Sequence, residues 1–136
     1  MQLNPYLSFN GQCEEAFKFY ERVLGGKIVF SMPYKDAPGD TPPGWGEKMM
    51  HVTLSLGDQV LQGSDPPGGY QKPQGFALAL EIADPAEAER TFQQLAESGT
   101  VQMPIQETFW ALRFGMVTDR FGIPWMVDCG KPQGGQ

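Results

Sequence analysis

The sequence predicts an α+β fold made of two successive βαβββ units, each a mixed sheet with one helix on its outer face. Three observations carry that prediction. A strand-like segment, a helical-period segment and three further strand-like segments occur twice in the same order. A Pro- and Gly-rich stretch, Asp65 to Pro73, separates the two occurrences. A shift of 72 residues superposes Ala16, Tyr20, Val23 and Leu24 on Ala88, Phe92, Leu95 and Ala96, the inward residues of the two helices. The units cover about residues 2–64 and 74–128 of a single domain, 1–129, and the stretch 130–136 lacks core residues and is expected to be a disordered tail.

Each element has a local cause. Gln2 to Asn10 alternates as a strand does, and Cys13, Ala16, Phe17, Tyr20, Val23 and Leu24 then recur at helical spacing until Gly25-Gly26. Glu14 and Glu15 supply the acids that a helix N-terminus favours. Lys27 to Met32 is the second strand. Pro33 to Lys48 is rich in Pro, Gly and Asp and longer than its connection needs; with Trp45 among its glycines it reads as a mobile lid. Met49 to Leu56 and Gln59 to Ser64 are strands joined by Gly57-Asp58, an order that suits a type II′ turn. This hairpin sets Leu56 opposite Gln59, Thr53 opposite Gln62 and His51 opposite Ser64. Alternation puts His51, Thr53, Ser55, Val60, Gln62 and Ser64 on one face; Val52, Leu54, Leu56 and Leu61 take the other and suit a helix.

Phe76 to Ile82 opens the second unit. Asp84-Pro85-Ala86-Glu87 provides an N-cap, a Pro at the first helical position and an acid at the third, and Gly99 stops the helix. Val101 to Gln106, Trp110 to Val117 and Ile123 to Asp128 complete the unit, the last pair turned by Asp119-Arg120-Phe121-Gly122. Trp110, Leu112 and Phe114 share one side of their strand, and Ala111, Arg113 and Gly115 the other. If buried, Arg113 needs a carboxylate, for which Glu107, Asp119 and Asp128 are candidates.

Composition narrows the function classes. The 136 residues suffice for one domain with a real core. A net charge of −6 with scattered Lys and Arg opposes a phosphate backbone, so nucleic acid is not the expected partner. No run approaches the roughly 20 apolar residues of a membrane span, and no basic-then-apolar leader is visible, so a soluble cytoplasmic protein is expected. Cys13 and Cys129 are too few for a disulfide framework and read as free thiols. Cys13 sits near a helix start, where a thiol can be activated, but its inward position reads as small core filler.

The segments PYLSFNGQCEEAFKFYERVLGGKI, MMHVTLSLGDQVLQGSD and ETFWALRFGMVTDRFGIPWM resemble, in order and over nearly the whole chain, the PhnB-like branch of the vicinal oxygen chelate superfamily. That superfamily also contains glyoxalase I, extradiol dioxygenases and bleomycin-resistance proteins. The resemblance implies curved sheets around a small-molecule cavity and a homodimer. In metal-dependent members the ligands come from the first and fourth strands of each unit. The matching positions here are Pro5, Gln62, Phe76 and Met126, three of which offer no suitable donor. No cofactor is therefore expected; a metal held by His51, Gln62 and an acid elsewhere is the remaining alternative.

His51, the only histidine, is the candidate catalytic base, or else a strand residue satisfied by Ser64 across the hairpin. Thr53, Gln62, Ser64 and Trp110 are the candidate ligand-binding residues. Trp110 with Phe109, Phe114 and Trp125 offers an aromatic platform for a planar or cationic ligand. Two functions follow: a glyoxalase-like lyase or isomerase acting on a small metabolite, or a metal-free binding or sequestration protein of the bleomycin-resistance type. Whether the chain is an enzyme stays open between them. Methyl transfer, a label carried by relatives, is rejected because the sequence has no Gly-rich strand-to-helix turn and no doubly wound sheet.

Overall fold

The computed structural model describes residues 1–132 and divides the chain into two compact units, Met1–Gln71 and Lys72–Gln136. The first holds β1 (Tyr6–Ser8), α1 (Cys13–Leu24), β2 (Lys27–Pro33), a 3-10 turn (Tyr34–Asp36), β3 (Met49–Leu56) and β4 (Gln59–Ser64). The second holds β5 (Leu78–Glu81), α2 (Pro85–Ala96), β6 (Thr100–Gln106), β7 (Ala111–Thr118) and β8 (Pro124–Gly130). Each sheet is four-stranded and mixed, ordered β1-β4-β3-β2 or β5-β8-β7-β6. In both, the first strand runs parallel to the last and the other neighbours are antiparallel. This is the tandem βαβββ fold, and its two helices are equal in length at 12 residues each.

Within the first unit, α1 buries Cys13, Ala16, Phe17, Tyr20 and Val23 against Leu7, Val52, Leu54 and Leu61. The Phe17 ring meets those of Phe9 and Tyr20 edge-on at 5.9 and 5.7 Å. The β3–β4 register is the expected one, running from Leu56↔Gln59 to Val52↔Gly63. Gly57 has φ 72° whereas Asp58 does not adopt positive φ, which is the requirement of a type II′ turn.

The second unit repeats the plan, with Ala88, Phe92 and Leu95 of α2 buried alongside Val117, Ile123, Trp125 and Val127. Asp84 caps α2 as expected, its Oδ2 accepting the Glu87 N–H at 3.0 Å ahead of Pro85. The far end differs from expectation. The helix closes at Ala96, and Ser98, not Gly99, takes the left-handed conformation (φ 59°). Gly99 is required for a different reason: a Cβ there would lie 2.4 Å from the Thr118 carbonyl oxygen.

β1 and β5 are shorter than the alternation suggests, because only Tyr6–Ser8 and Leu78–Glu81 find a partner strand. Two residues of the expected tail are engaged: Gly130 closes β8 opposite Ala111, and Lys131 lies 3.7 Å from Glu107. The remaining tail residues, 133–136, lie outside the described residues. Among the described residues no helix is long and apolar enough to cross a membrane.

Candidate functional site

The face of the first sheet turned away from α1 carries the polar residues that alternation selects. One row crosses all four strands in register, Tyr6–Gln62–Thr53–Phe30, and His51 lies two residues along β3 from Thr53 on the same face. Phe30 joins this row because a bulge at Val29 shifts the phase of β2, so that Ile28 pairs with Leu54 but Phe30 with Thr53. Tyr6 and Phe30 are 50% and 45% exposed and flank the His51 ring at centroid distances of 5.6 and 5.8 Å.

His51 is hydrogen-bonded at both ring nitrogens. The Tyr6 hydroxyl is 3.1 Å from Nδ1, and Nε2 is 2.9 Å from the Thr53 hydroxyl. This corrects the expected His51–Ser64 contact. The β3–β4 ladder ends at Val52↔Gly63, and Tyr6 arrives from the parallel strand β1 instead. With the Tyr6 O–H donating to Nδ1, Nε2–H donates to Thr53 Oγ1; the opposite tautomer reverses both bonds. Either way the imidazole links two hydroxyls in a continuous chain. Gln62 stands level with Tyr6, and Ser64 stands level with Ser8, all half-buried or exposed.

The corresponding face of the second sheet is built from Glu81, Asp128, Phe114 and Gln106, one row across β5, β8, β7 and β6. Trp110 precedes β7 and is 46% exposed, with its ring edge-on to Phe114 at 5.4 Å and to Phe109 at 4.8 Å. Trp125, the fourth expected member of the platform, is buried on the opposite face, where its Nε1–H donates to Asp119 Oδ2 at 2.8 Å. Arg113 also takes the helix side. Its Nε–H donates to Glu89 of α2 at 2.9 Å, so the partner is none of the three expected carboxylates. The expected partner Asp119 instead accepts the backbone N–H groups of Phe121 and Ile123.

Sequence reasoning missed Asp65, the most heavily used buried carboxylate of the first unit. Its Oδ1 accepts the N–H groups of Gly11 and Cys13 at 2.9 and 3.0 Å, and its Oδ2 accepts that of Met49 at 3.0 Å. α1 has no cap from its own N-cap residue, Gln12, so Asp65 satisfies its first N–H from far along the chain. The Pro33–Lys48 segment is tied to the same point, with the Tyr34 hydroxyl donating to the Asp65 carbonyl at 2.8 Å. Backbone bonds Tyr34 N–Lys48 O and Lys35 N–Gly46 O, and the Tyr34–Trp45 ring contact at 6.2 Å, fold it into a compact excursion.

Burial pushes the Cys13 thiol well above the ordinary thiol range, and the charges of Asp65 and Glu14 push it the same way. The thiol is therefore inert core filler, not an activated nucleophile. Its proton is held more tightly in the folded chain than in the unfolded one. The two states differ only above the unfolded thiol value, roughly 8.5, where the unfolded chain releases the proton first and is favoured. Stability is accordingly expected to decline above about pH 9, by at most about 1.4 kcal/mol per pH unit from this group. Urea unfolding at pH 8 to 10 should show a shallower decline in Cys13→Ala; an unchanged slope would remove Cys13 as its source.

The metal-ligand positions implied by the resemblance shift slightly once the register is known. Tyr6, not Pro5, is level with Gln62, and Ala79, not Phe76, is level with Met126. A phenol, an amide, a methyl group and a thioether do not make a donor set for a hard or borderline divalent cation. Among the described residues no three His, Cys, Asp or Glu side chains converge either. The residues present do not fit the family's metal.

The family model for the Glyoxalase/Bleomycin resistance protein/Dioxygenase superfamily matches residues 2–127. Protein YjdN of Escherichia coli (strain K12) is 35% identical over 144 residues, covering 98% of each chain. Among solved structures, protein PA1353 from Pseudomonas aeruginosa is 46% identical with a TM-score of 0.90, over 97% of this chain and 99% of that one. The PhnB protein from Bacillus cereus, which carries the name of a 3-demethylubiquinone-9 3-methyltransferase, is 25% identical with a TM-score of 0.83, over 96% and 100% of the two chains.

Proposed function

Because the chain belongs to the glyoxalase/bleomycin resistance protein/dioxygenase superfamily, on its PhnB-like branch, we propose that it binds a small polar metabolite on the open face of the first sheet without a divalent metal. The observation that carries this reading is the Tyr6–His51–Thr53 chain, bordered by Gln62 and by the exposed ring of Phe30. Convergent hydrogen-bonding groups between aromatic flanks are what small-molecule sites use to fix a ligand's orientation. The Gln62 amide offers both donor and acceptor, Ser64 adds a hydroxyl beside it, and the Tyr6 and Phe30 rings cover the ligand's apolar part. The unsuitable donor set at Tyr6, Gln62, Ala79 and Met126 supports the metal-free half of the reading.

The test is a thermal-shift screen of the full chain, kept in EDTA, against small hydroxy acids, amides and phenols. One ligand class is expected to raise the melting temperature, with His51→Ala and Gln62→Ala each weakening its binding at least about tenfold, or roughly 1.4 kcal/mol. Binding that requires Ni, Zn, Mn or Fe(II), with one ion per chain lost in His51→Ala, would sink the reading.

The same hydroxyl–imidazole–hydroxyl chain favours a second reading, a metal-free lyase or isomerase. His51 would take a substrate proton at one nitrogen, becoming an imidazolium whose other N–H stays hydrogen-bonded to a neighbouring hydroxyl, and would return that proton to the product. The two readings part in His51→Gln, which keeps hydrogen-bonding capacity but not basicity: an enzyme loses turnover with ligand affinity largely intact, whereas a binding protein shows no turnover to lose. The methyltransferase name of the B. cereus relative is not carried over. Two four-stranded mixed sheets, each with one helix, lack the doubly wound parallel sheet that cradles an adenosyl cofactor.

A further inference from the structure

We propose that the open face of the second sheet is a recognition site for an organic cation, with Asp128 accepting a protonated nitrogen and the exposed Trp110 ring, seated edge-on to the buried Phe114 ring, lying against the cation's apolar side. Among the described residues, Asp128 Oδ1 is the one buried side-chain oxygen or nitrogen of a non-exposed residue without a hydrogen-bond partner. A carboxylate oxygen taken from water and left unmatched costs free energy that a donor from a ligand would recover.

Three cations of the second unit are engaged with other carboxylates. Arg113 is turned to Glu89, Arg120 to Glu97 and Lys131 to Glu107. The register neighbour of Asp128 on β5 is Glu81, a second acid, and like charges facing each other across strands oppose the sheet until a cation sits beside them. On its other side Asp128 is paired with Phe114, whose ring begins the edge-on series Phe114–Trp110–Phe109.

Phe109 and Trp110 leave 88% and 46% of their surface in solvent. Core packing does not account for them. A carboxylate gives an ammonium or amidinium a charge-assisted hydrogen bond, and aromatic faces within about 6 Å attract the same charge. A bare metal ion would use the acids but not the rings, and a neutral apolar ligand the rings but not the acids.

Benzylammonium and its neutral isostere benzyl alcohol are suitable probes for the full chain, read by tryptophan fluorescence and by amide chemical shifts. Benzylammonium is expected to bind with a dissociation constant on the order of 1 mM and to shift amides around Asp128, Phe114 and Trp110. Asp128→Asn should weaken it at least about tenfold, and Trp110→Ala, at an exposed ring that the fold does not need, several-fold. Benzyl alcohol should bind at least about tenfold more weakly. Equal binding of the two probes, full binding by Asp128→Asn, or no shift at roughly 10 mM benzylammonium would each overturn the proposal.

Discussion

Asp65→Ala is expected to lower the unfolding free energy by on the order of 4 kcal/mol, the largest single-residue effect in the first unit. The carboxylate is 1% exposed and holds three backbone N–H groups, from Gly11, Cys13 and Met49. A hydrogen bond to a charged group contributes about 1.5–3 kcal/mol, and donors left buried without a partner add their desolvation cost, though the three losses do not sum fully because they share one site. Alanine leaves all three orphaned at once.

The three donors belong to the start of α1, the loop before it and the start of β3, so the substitution loosens the joint that places His51 two residues further along β3. Asp65→Asn retains one acceptor oxygen but turns an amide N–H₂ towards a backbone donor, and should recover less than half of the loss. Tyr34→Phe, which removes one bond to the Asp65 carbonyl, should cost only about 1 kcal/mol. Urea denaturation of the three variants checks the order. A loss below about 1 kcal/mol in Asp65→Ala would mean that water replaces the carboxylate.

The contrast between Asp84 and Asp65 shows where the sequence is legible. Asp84 caps α2 through Glu87, three residues away, and the Asp-Pro-Ala-Glu pattern announces it. Asp65 caps α1 across 52 residues from inside a Pro- and Gly-rich stretch that reads as a bridge. The β3–β4 hairpin could be registered in advance because Gly57-Asp58 and the alternation on both sides agree. The His51 partners could not, since Tyr6 comes from a parallel strand whose neighbour no local pattern specifies.

Phe30 was hidden for another reason. Strict alternation from Lys27 puts it on the same face as Ile28, and only the bulge at Val29 turns its ring to the open side. Thr53, Gln62 and Ser64 were legible as one polar face, whereas Arg113's pairing with Glu89 depended on how α2 lies on its sheet. The residues read correctly are those whose neighbours are near in sequence or across a tight turn.

Gly63→Ala is the second large effect, expected to cost about 2–3 kcal/mol, the upper part of the range for overpacking. A Cβ at Gly63 would lie 2.6 Å from Phe17 Cε1 and 2.9 Å from the Leu7 carbonyl oxygen. The first neighbour is a ring held in the Phe9–Tyr20 cluster, and the second is backbone of the paired strand β1, so neither yields cheaply. The second unit uses the same device: a Cβ at Gly115 would lie 2.6 Å from Phe92 Cε1 and 3.0 Å from the Ile105 Cα.

Close seating of each helix therefore depends on a missing side chain in the strand beneath it. Phe17→Leu alone removes packing and should cost about 1 kcal/mol. In the double variant the smaller side chain relieves the clash, so the combined loss should fall short of the sum by about 1 kcal/mol or more. Additive losses would instead place the strain at the Leu7 carbonyl, in the β1–β4 pairing. Gln62 and Ser64 flank Gly63 and face the other way, so that outcome would predict a larger change in ligand affinity than in helix content.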